Sequence, residues 1–295
     1  MTIPPHQHRL DFDQLPVTGW FPGHMLKAGR QIKEKLKLVD LVVELLDARI
    51  PKVSRNPAFN DLFGSKPRCL VFTKSDSADD AETARWQAYY AAKKQTVFFV
   101  DSITGRNLDA LVPGWHARVE EHRTASGSTT RLRRPLRVMI TGIPNIGKST
   151  LINRLSISKR AQTGPRPGVT RSQQWIKLAG DVELLDTPGV LWPKISAKRM
   201  ELKLTLCGCI KDELIGEELV AEYLLEWARE NPGKLSLDMY DCGELTESVE
   251  EFLEAVGRQR GHLKSGGVVD RRKSAIAVLK DFRDGRLGTI TLDRC

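Results

Sequence analysis

The sequence contains no apolar run long enough to span a bilayer. No repeats or low-complexity tracts interrupt it, and 40% hydrophobic against 28% charged residues is the balance of a chain that buries an ordinary core. Cysteine is scarce and poorly spaced: Cys69, Cys207, Cys209, Cys242 and Cys295 are odd in number, and no C-x-x-C occurs. A zinc ribbon is not indicated, and free thiols in a reducing compartment fit best. Cys207 and Cys209 read as small core residues. Residues 1–13 have neither a basic stretch leading into an apolar one nor an Arg-rich, acid-free pattern, so the expectation is a cytoplasmic protein without membrane attachment.

Positive charge, in contrast, is in excess: the net charge is +9. Such a surplus suits an anionic macromolecular partner, and its distribution is uneven. Residues 201–257 carry fifteen acids and four bases, whereas residues 258–295 carry ten bases and four acids. The last segment is therefore a candidate nucleic-acid contact, with Arg271, Arg272 and Lys273 at its centre.

Short apolar runs at Leu38–Leu46, Arg68–Thr73 and Thr96–Val100 alternate with helical stretches at Asp80–Lys94 and Asn107–Glu121. That alternation implies a parallel sheet covered on both faces. Residues 122–135 are rich in Ser, Thr, Gly and Arg and read as an exposed linker. Further strands are expected near Gln174–Leu178 and Val182–Leu185. Beyond Pro193 the pattern is helical, with amphipathic stretches at Glu217–Glu230 and Asp270–Arg283, the latter placing Ile276, Leu279 and Phe282 on one side. Only Gly288–Leu292 reads as a late β-run. Two domains are expected, 1–195 and 196–295.

The chemistry centres on Gly142-Ile-Pro144-Asn145-Ile146-Gly147-Lys148-Ser149, with an apolar strand before it and a helix opening at Thr150. Strand, glycine loop and helix form the context in which G-x-x-x-x-G-K-[ST] cradles phosphates. The glycines permit a tight turn whose N–H groups point at a polyphosphate, and the new helix adds its positive end. Lys148 can neutralise β- and γ-phosphate charge, and Ser149 can place its hydroxyl on magnesium. Downstream, Asp186-Thr-Pro-Gly189 ends a strand in D-x-x-G: Asp186 can hold magnesium through water, and the Gly189 N–H can reach the γ-phosphate. Thr170, in a Gly/Pro-rich loop between the two motifs, can give magnesium a second hydroxyl on ordering.

The P-loop does not choose the base. Upstream, Thr73-Lys74-Ser75-Asp76 follows directly on a strand. Asp76 can accept both the N1–H and the exocyclic amine of guanine, a pairing adenine cannot make, and Lys74 can lie along the base plane. Thr73 departs from the Asn of N-K-x-D, keeping a hydroxyl and losing an amide. A second strand end, with Ser102 and Ile103, fits a loop closing over the base. The order of base motif, closing loop, P-loop, switch loop and D-x-x-G is a circular permutation of the usual one, with 122–135 placed to join the original ends.

The permuted order, together with Gly19-Trp-Phe-Pro-Gly-His-Met25, Asp47-Ala-Arg-Ile-Pro51, the P-loop and Asp186-Thr-Pro-Gly-Val-Leu-Trp-Pro-Lys194, resembles the YlqF/RbgA family of ribosome biogenesis GTPases from about Trp20 to the end. The resemblance implies a P-loop GTPase α/β fold with a parallel-rich sheet and a small α-helical C-terminal domain that contacts ribosomal RNA. It implies GTP hydrolysis to GDP coupled to late assembly of the large ribosomal subunit. Because Val190 stands where many GTPases carry a water-orienting Gln, the resemblance points to His24 as the catalytic group. Similar GTPases with Asn at the place of Asn145 bind potassium, which makes that residue a candidate potassium ligand. A nucleotide-regulated RNA-binding scaffold with incidental hydrolysis is the alternative, and an ATPase a weaker one.

Overall fold

The computed structural model describes residues 10–19, 30–127, 133–156, 175–178, 181–186, 190, 195–240 and 248–295. The chain divides into two compact units, one holding 21–193 with 291–295, the other holding 1–20 with 194–290. This partition differs at both ends from two consecutive domains. Described residues near the N-terminus go with the helices, and the last five residues go with the sheet.

The sheet unit contains β1 (Leu41–Asp47), α1 (Ala58–Phe63), β2 (Arg68–Thr73), α2 (Asp80–Ala92), β3 (Val97–Phe99), α3 (Leu111–Ala125), β4 (Leu136–Gly142), α4 (Lys148–Leu155), β5 (Trp175–Leu178) and β6 (Val182–Asp186). The strand order is β3-β2-β1-β4-β6-β5. All pairings are parallel except that of β5 with β6, which is antiparallel. Central β1 is buried along its whole length, as a strand covered on both faces should be. Its one charged interior residue, Glu44, lies 3.4 Å from the Arg68 guanidinium, and burial pushes the Glu44 carboxyl up against that attraction. One apolar cluster combines Ile32, Val42, Phe59, Met139 and Leu185, and another combines Leu46, Leu70, Phe72, Trp86 and Phe99.

Because the strands of β3, β2, β1, β4 and β6 run in one direction, their C-terminal ends share one edge of the sheet. Along that edge stand, in order, the closing loop, the base motif, Asp47, the P-loop and Asp186. Ligands of open α/β sheets gather at this edge.

The helical unit contains α5 (Lys198–Leu206), α6 (Asp212–Ile215), α7 (Glu217–Glu230), α8 (Val249–Arg260) and α9 (Arg271–Arg283). Helix α9 packs on α7 and α8, burying Ala275, Val278, Leu279 and Phe282. Cys207 and Cys209 are both buried here. Ser248 and Asp270 cap α8 and α9, each accepting a hydrogen bond from the N–H three residues on, at 3.1 Å.

Three local readings need correction. Residues 122–125 belong to α3, not to a linker: the helix continues because the backbone ladder closes through Ser126, whose hydroxyl bonds to His122 O at 2.8 Å. Leu279 and Phe282 are buried as expected, but Ile276 lies on the exposed side of α9, because the buried stripe runs through Ala275 and Val278 instead. Residues 288–292 form no strand. Within them the Leu292 N–H donates to Arg49 O at 2.7 Å, a turn of the sheet unit, and not to a neighbouring strand.

Candidate functional site

The loop between β4 and α4 is shaped by its glycines. A Cβ on Gly142 would sit 2.8 Å from the Leu45 carbonyl oxygen, so only glycine lets the loop leave the sheet this close to β1. Gly147, at φ +98°, and Asn145, at φ +56°, take the left-handed conformation that folds the loop back on itself. Ile146 is fully buried and anchors the loop from below, leaving only its backbone to a ligand. Pro144 is half-buried, while Asn145, Ser149 and Thr150 are exposed. The Lys148 ammonium lies over the loop, 3.1 Å from Ile143 O.

The base motif is built against this loop. Thr73 ends β2 with its hydroxyl oxygen 2.6 Å from Ile146 O and 3.1 Å from Leu46 O. A hydroxyl has one hydrogen, and the shorter contact marks Ile146 O as its acceptor. The side chain that replaces the usual Asn therefore still braces the P-loop. Lys74, at φ +57°, extends its ammonium to Asp47 Oδ2 at 2.9 Å and to Asn145 O at 3.3 Å. Two adjacent residues thus join the base motif to the phosphate loop across β1.

The Ser75 N–H donates to Val100 O at 3.2 Å, bringing the closing loop beside the base motif. Asp101 shapes that loop: its carboxylate accepts from Ile103 N at 2.7 Å and Thr104 N at 3.0 Å, and also from the Thr104 hydroxyl. Burial alone would raise its carboxyl, but these bonds outweigh it and hold it below the usual carboxylate range. The turn leaves Ile103 76% exposed. The Ser75 and Ser102 hydroxyls are buried without a hydrogen-bond partner, one at each of these two strand ends. A buried hydroxyl of this kind needs a partner, which an ordered water or a polar ligand can supply. Asp76 is exposed, its carboxylate accepting only a local bond from Ser77 at 3.0 Å.

Beside D-x-x-G, the Val190 N–H donates to Gly142 O at 3.0 Å, and its carbonyl accepts from the Asn56 side chain at 3.1 Å. The Val190 side chain is packed in the core with Met139 and Leu185, so this position offers no group that could orient water. Asp186 is the last residue of β6, in register with Ile140 of the P-loop strand. Magnesium prefers hard oxygen ligands, and the exposed Ser149 hydroxyl at the start of α4 has that chemistry. Among the described residues no group of three or more His, Cys, Asp or Glu side chains is arranged to hold a metal ion. His24, Thr170 and Gly189 lie outside the described residues.

Sequence reasoning missed three residues here. Asp101 had a local signal, the Asx-turn pattern of an Asp before Ser-x-x-Gly. Asp47 and Asn56 had none, because their partners Lys74 and Val190 are 27 and 134 residues away.

In the helical unit, Arg272 holds Glu217 at 2.7 Å and Arg271 lies 3.8 Å from Glu218, while Lys273 is exposed. The hydrogen bond from Arg272 holds the Glu217 carboxyl below its ordinary value. The basic triplet is thus partly committed to internal ion pairs.

A phosphate loop braced by a T-K-x-D motif that precedes it in the chain, at one edge of a parallel sheet, defines a circularly permuted P-loop GTPase fold. Comparison with known proteins places it further. The model of the 50S ribosome-binding GTPase family matches residues 137–240, starting at the P-loop strand. "Ribosome biogenesis GTPase A" of Priestia megaterium is 43% identical over 93% of this chain and 96% of its own. The protein of the same name from Bacillus cereus is 41% identical over 94% of both. The crystal structure of GNP-bound YlqF from T. maritima superposes with a TM-score of 0.67 at 30% identity, covering 91% of this chain and 98% of that one. The chain belongs to the ribosome biogenesis GTPase A (YlqF/RbgA) family.

Proposed function

We propose that this chain is a GTP-binding and GTP-hydrolysing switch in ribosome assembly, acting late on the large subunit and stimulated by that particle. The observation that carries the reading is the junction of base motif and phosphate loop through Thr73 Oγ1 to Ile146 O at 2.6 Å. A base-reading strand end and a phosphate cradle held in one rigid register are what a guanine nucleotide requires. Asp76 pairs with the guanine edge, Lys74 lies along the base, and Ser75, Ser102 and Ile103 close over it. The polyphosphate lies along Pro144 to Thr150, with Lys148 between its β- and γ-phosphates and the Gly189 N–H at the γ-phosphate.

Ser149, Thr170 and Asp186 are the residues that would hold magnesium, which when bound neutralises the charge on the β- and γ-phosphates. Asn145 is the proposed potassium ligand. Its exposed position and left-handed backbone favour that role. Val190 faces the core and carries no water-orienting group, so another residue must do this, and the proposal assigns it to His24. The names of the bacterial relatives support ribosome assembly and the cytoplasmic setting that goes with it. Arg271, Arg272 and Lys273 are proposed to face ribosomal RNA, with Lys273 the most available of the three. A scaffold with incidental hydrolysis is not favoured, because the relatives are named as GTPases.

The test is binding to purified large ribosomal subunits with GDP and with a non-hydrolysable GTP analogue. The switch reading requires tighter binding with the analogue, and equal binding with both would contradict it.

A further inference from the structure

The motif Asp47-Ala-Arg-Ile-Pro51 has no part in the nucleotide contacts assigned above, although it sits at the same edge of the sheet. Asp47 is fully buried at the end of β1. Its Oδ1 accepts from the Arg49 N–H and Nε, each at 3.0 Å, and its Oδ2 from Arg49 Nη2 and Lys74 Nζ, each at 2.9 Å. Burial alone would raise the carboxyl. The charges of Arg49 and Lys74, and their hydrogen bonds, outweigh that and hold it well below the carboxylate range. Asp47 is therefore a permanent anion that fixes the ammonium of the base-motif lysine.

The turn that carries Asp47 is itself held from the far end of the sequence. Asp293 Oδ2 accepts from the backbone N–H groups of Lys52 at 2.9 Å and Val53 at 2.8 Å. Leu292 N donates to Arg49 O at 2.7 Å, and Trp86 Nε1 donates to Asp293 O at 3.3 Å. Thr291 Oγ1 accepts from the Asp79 N–H at 3.1 Å, three residues past Asp76. Thr291, Leu292 and Asp293 are all buried. Three consecutive residues thus grip both flanks of the base motif: the turn whose aspartate holds Lys74, and the segment that follows Asp76. Carboxylate bonds to paired backbone N–H groups are among the stronger ones available.

We infer that Thr291–Asp293 is a clamp on the guanine-recognition loop, with Thr291, Asp293 and Asp47 as positioning residues that set Lys74 and Asp76 for the base. The inference rests on the guanine-nucleotide reading above. Loosening the clamp lets the loop relax, so the base edge is read less well while the phosphate cradle keeps its shape.

The experiment uses the full chain with a fluorescent GDP analogue, followed by its dissociation rate and by competition with GDP and with inosine diphosphate, which lacks the exocyclic amine. Asp293→Ala and Thr291→Val are expected to release the analogue about tenfold faster, the loss of roughly one such bond. They should also narrow the preference for GDP over inosine diphosphate. Asp293→Asn, whose amide oxygen still accepts from both N–H groups, should stay within about twofold of the parent. A purely structural tail would lower the melting temperature and leave the dissociation rate and the base preference at parental values. That result in folded Asp293→Ala overturns the clamp. If Asp293→Ala does not fold, Thr291→Val decides on the same criteria. Failure of the parent chain to bind GDP would instead overturn the nucleotide reading itself.

Discussion

Replacing Thr73 by valine removes one hydroxyl and almost no volume at a buried position. The lost bond is the one to Ile146 O at 2.6 Å, and Ile146 is fully buried, so its carbonyl is left without that donor. A net hydrogen bond contributes about 1 kcal/mol, and an orphaned buried acceptor costs about 1–3 kcal/mol. The expected loss of stability is thus about 1–3 kcal/mol, or about 2–4 °C in melting temperature for each kcal/mol in a domain of this size. Because the same bond holds base motif and P-loop in register, part of the cost appears in binding. If all of it does, GDP affinity falls about 5- to 150-fold at 1.4 kcal/mol per decade. Thermal melts and titration calorimetry with GDP measure the two parts. Thr73→Asn, which can offer an amide N–H to the same carbonyl, should recover most of the loss. Unchanged melting and unchanged GDP affinity in Thr73→Val would refute the bracing argument.

Lys148→Ala should reduce nucleotide binding to the limit of detection by calorimetry while the sheet unit still melts cooperatively. Asp281 is buried among the Tyr240 hydroxyl at 2.7 Å, Arg260 at 2.6 Å and Arg286 at 2.9 Å. Although burial would raise its carboxyl, these partners outweigh it and lower it from the ordinary 3.8. The stability this gives is fully present above that value and is lost as pH falls through the lower folded value, so acid melts of Asp281→Asn should show a flatter decline below about pH 4 than the parent. Lys273→Gln should lower the salt slope of RNA association by about one, as expected for one lost phosphate contact. Arg272→Gln should also destabilise the helical unit, because it frees Glu217.

What was legible in the sequence is where the short motifs at strand ends stand in the fold. Gly142 to Ser149, Thr73 to Asp76 and Asp186 each combine a local motif with a flanking apolar run, and period and turn chemistry suffice to place them. Residues whose meaning depends on a distant partner were not legible. Nothing near Asp47 announces Lys74, and nothing near Asp293 announces the N–H groups of Lys52 and Val53. The late β-run at 288–292 shows the same limit. Its alternation of Thr, Ile, Thr and Leu is that of a half-buried strand, but whether such extended chain pairs in a sheet or bonds to a turn depends on what it meets. Ile276 was misplaced for a simpler reason: Ala275 and Ile276 both lie within a turn of Leu279 on the helix, and the packing on α7 and α8 decides which of the two is buried.

Single-turnover GTP hydrolysis by the full chain with and without large ribosomal subunits, run alongside His24→Ala, is the decisive test of a particle-stimulated switch. The account predicts a slow intrinsic rate, strong acceleration by subunits, and loss of that acceleration in His24→Ala with GTP binding intact. A rate that subunits leave unchanged would contradict it.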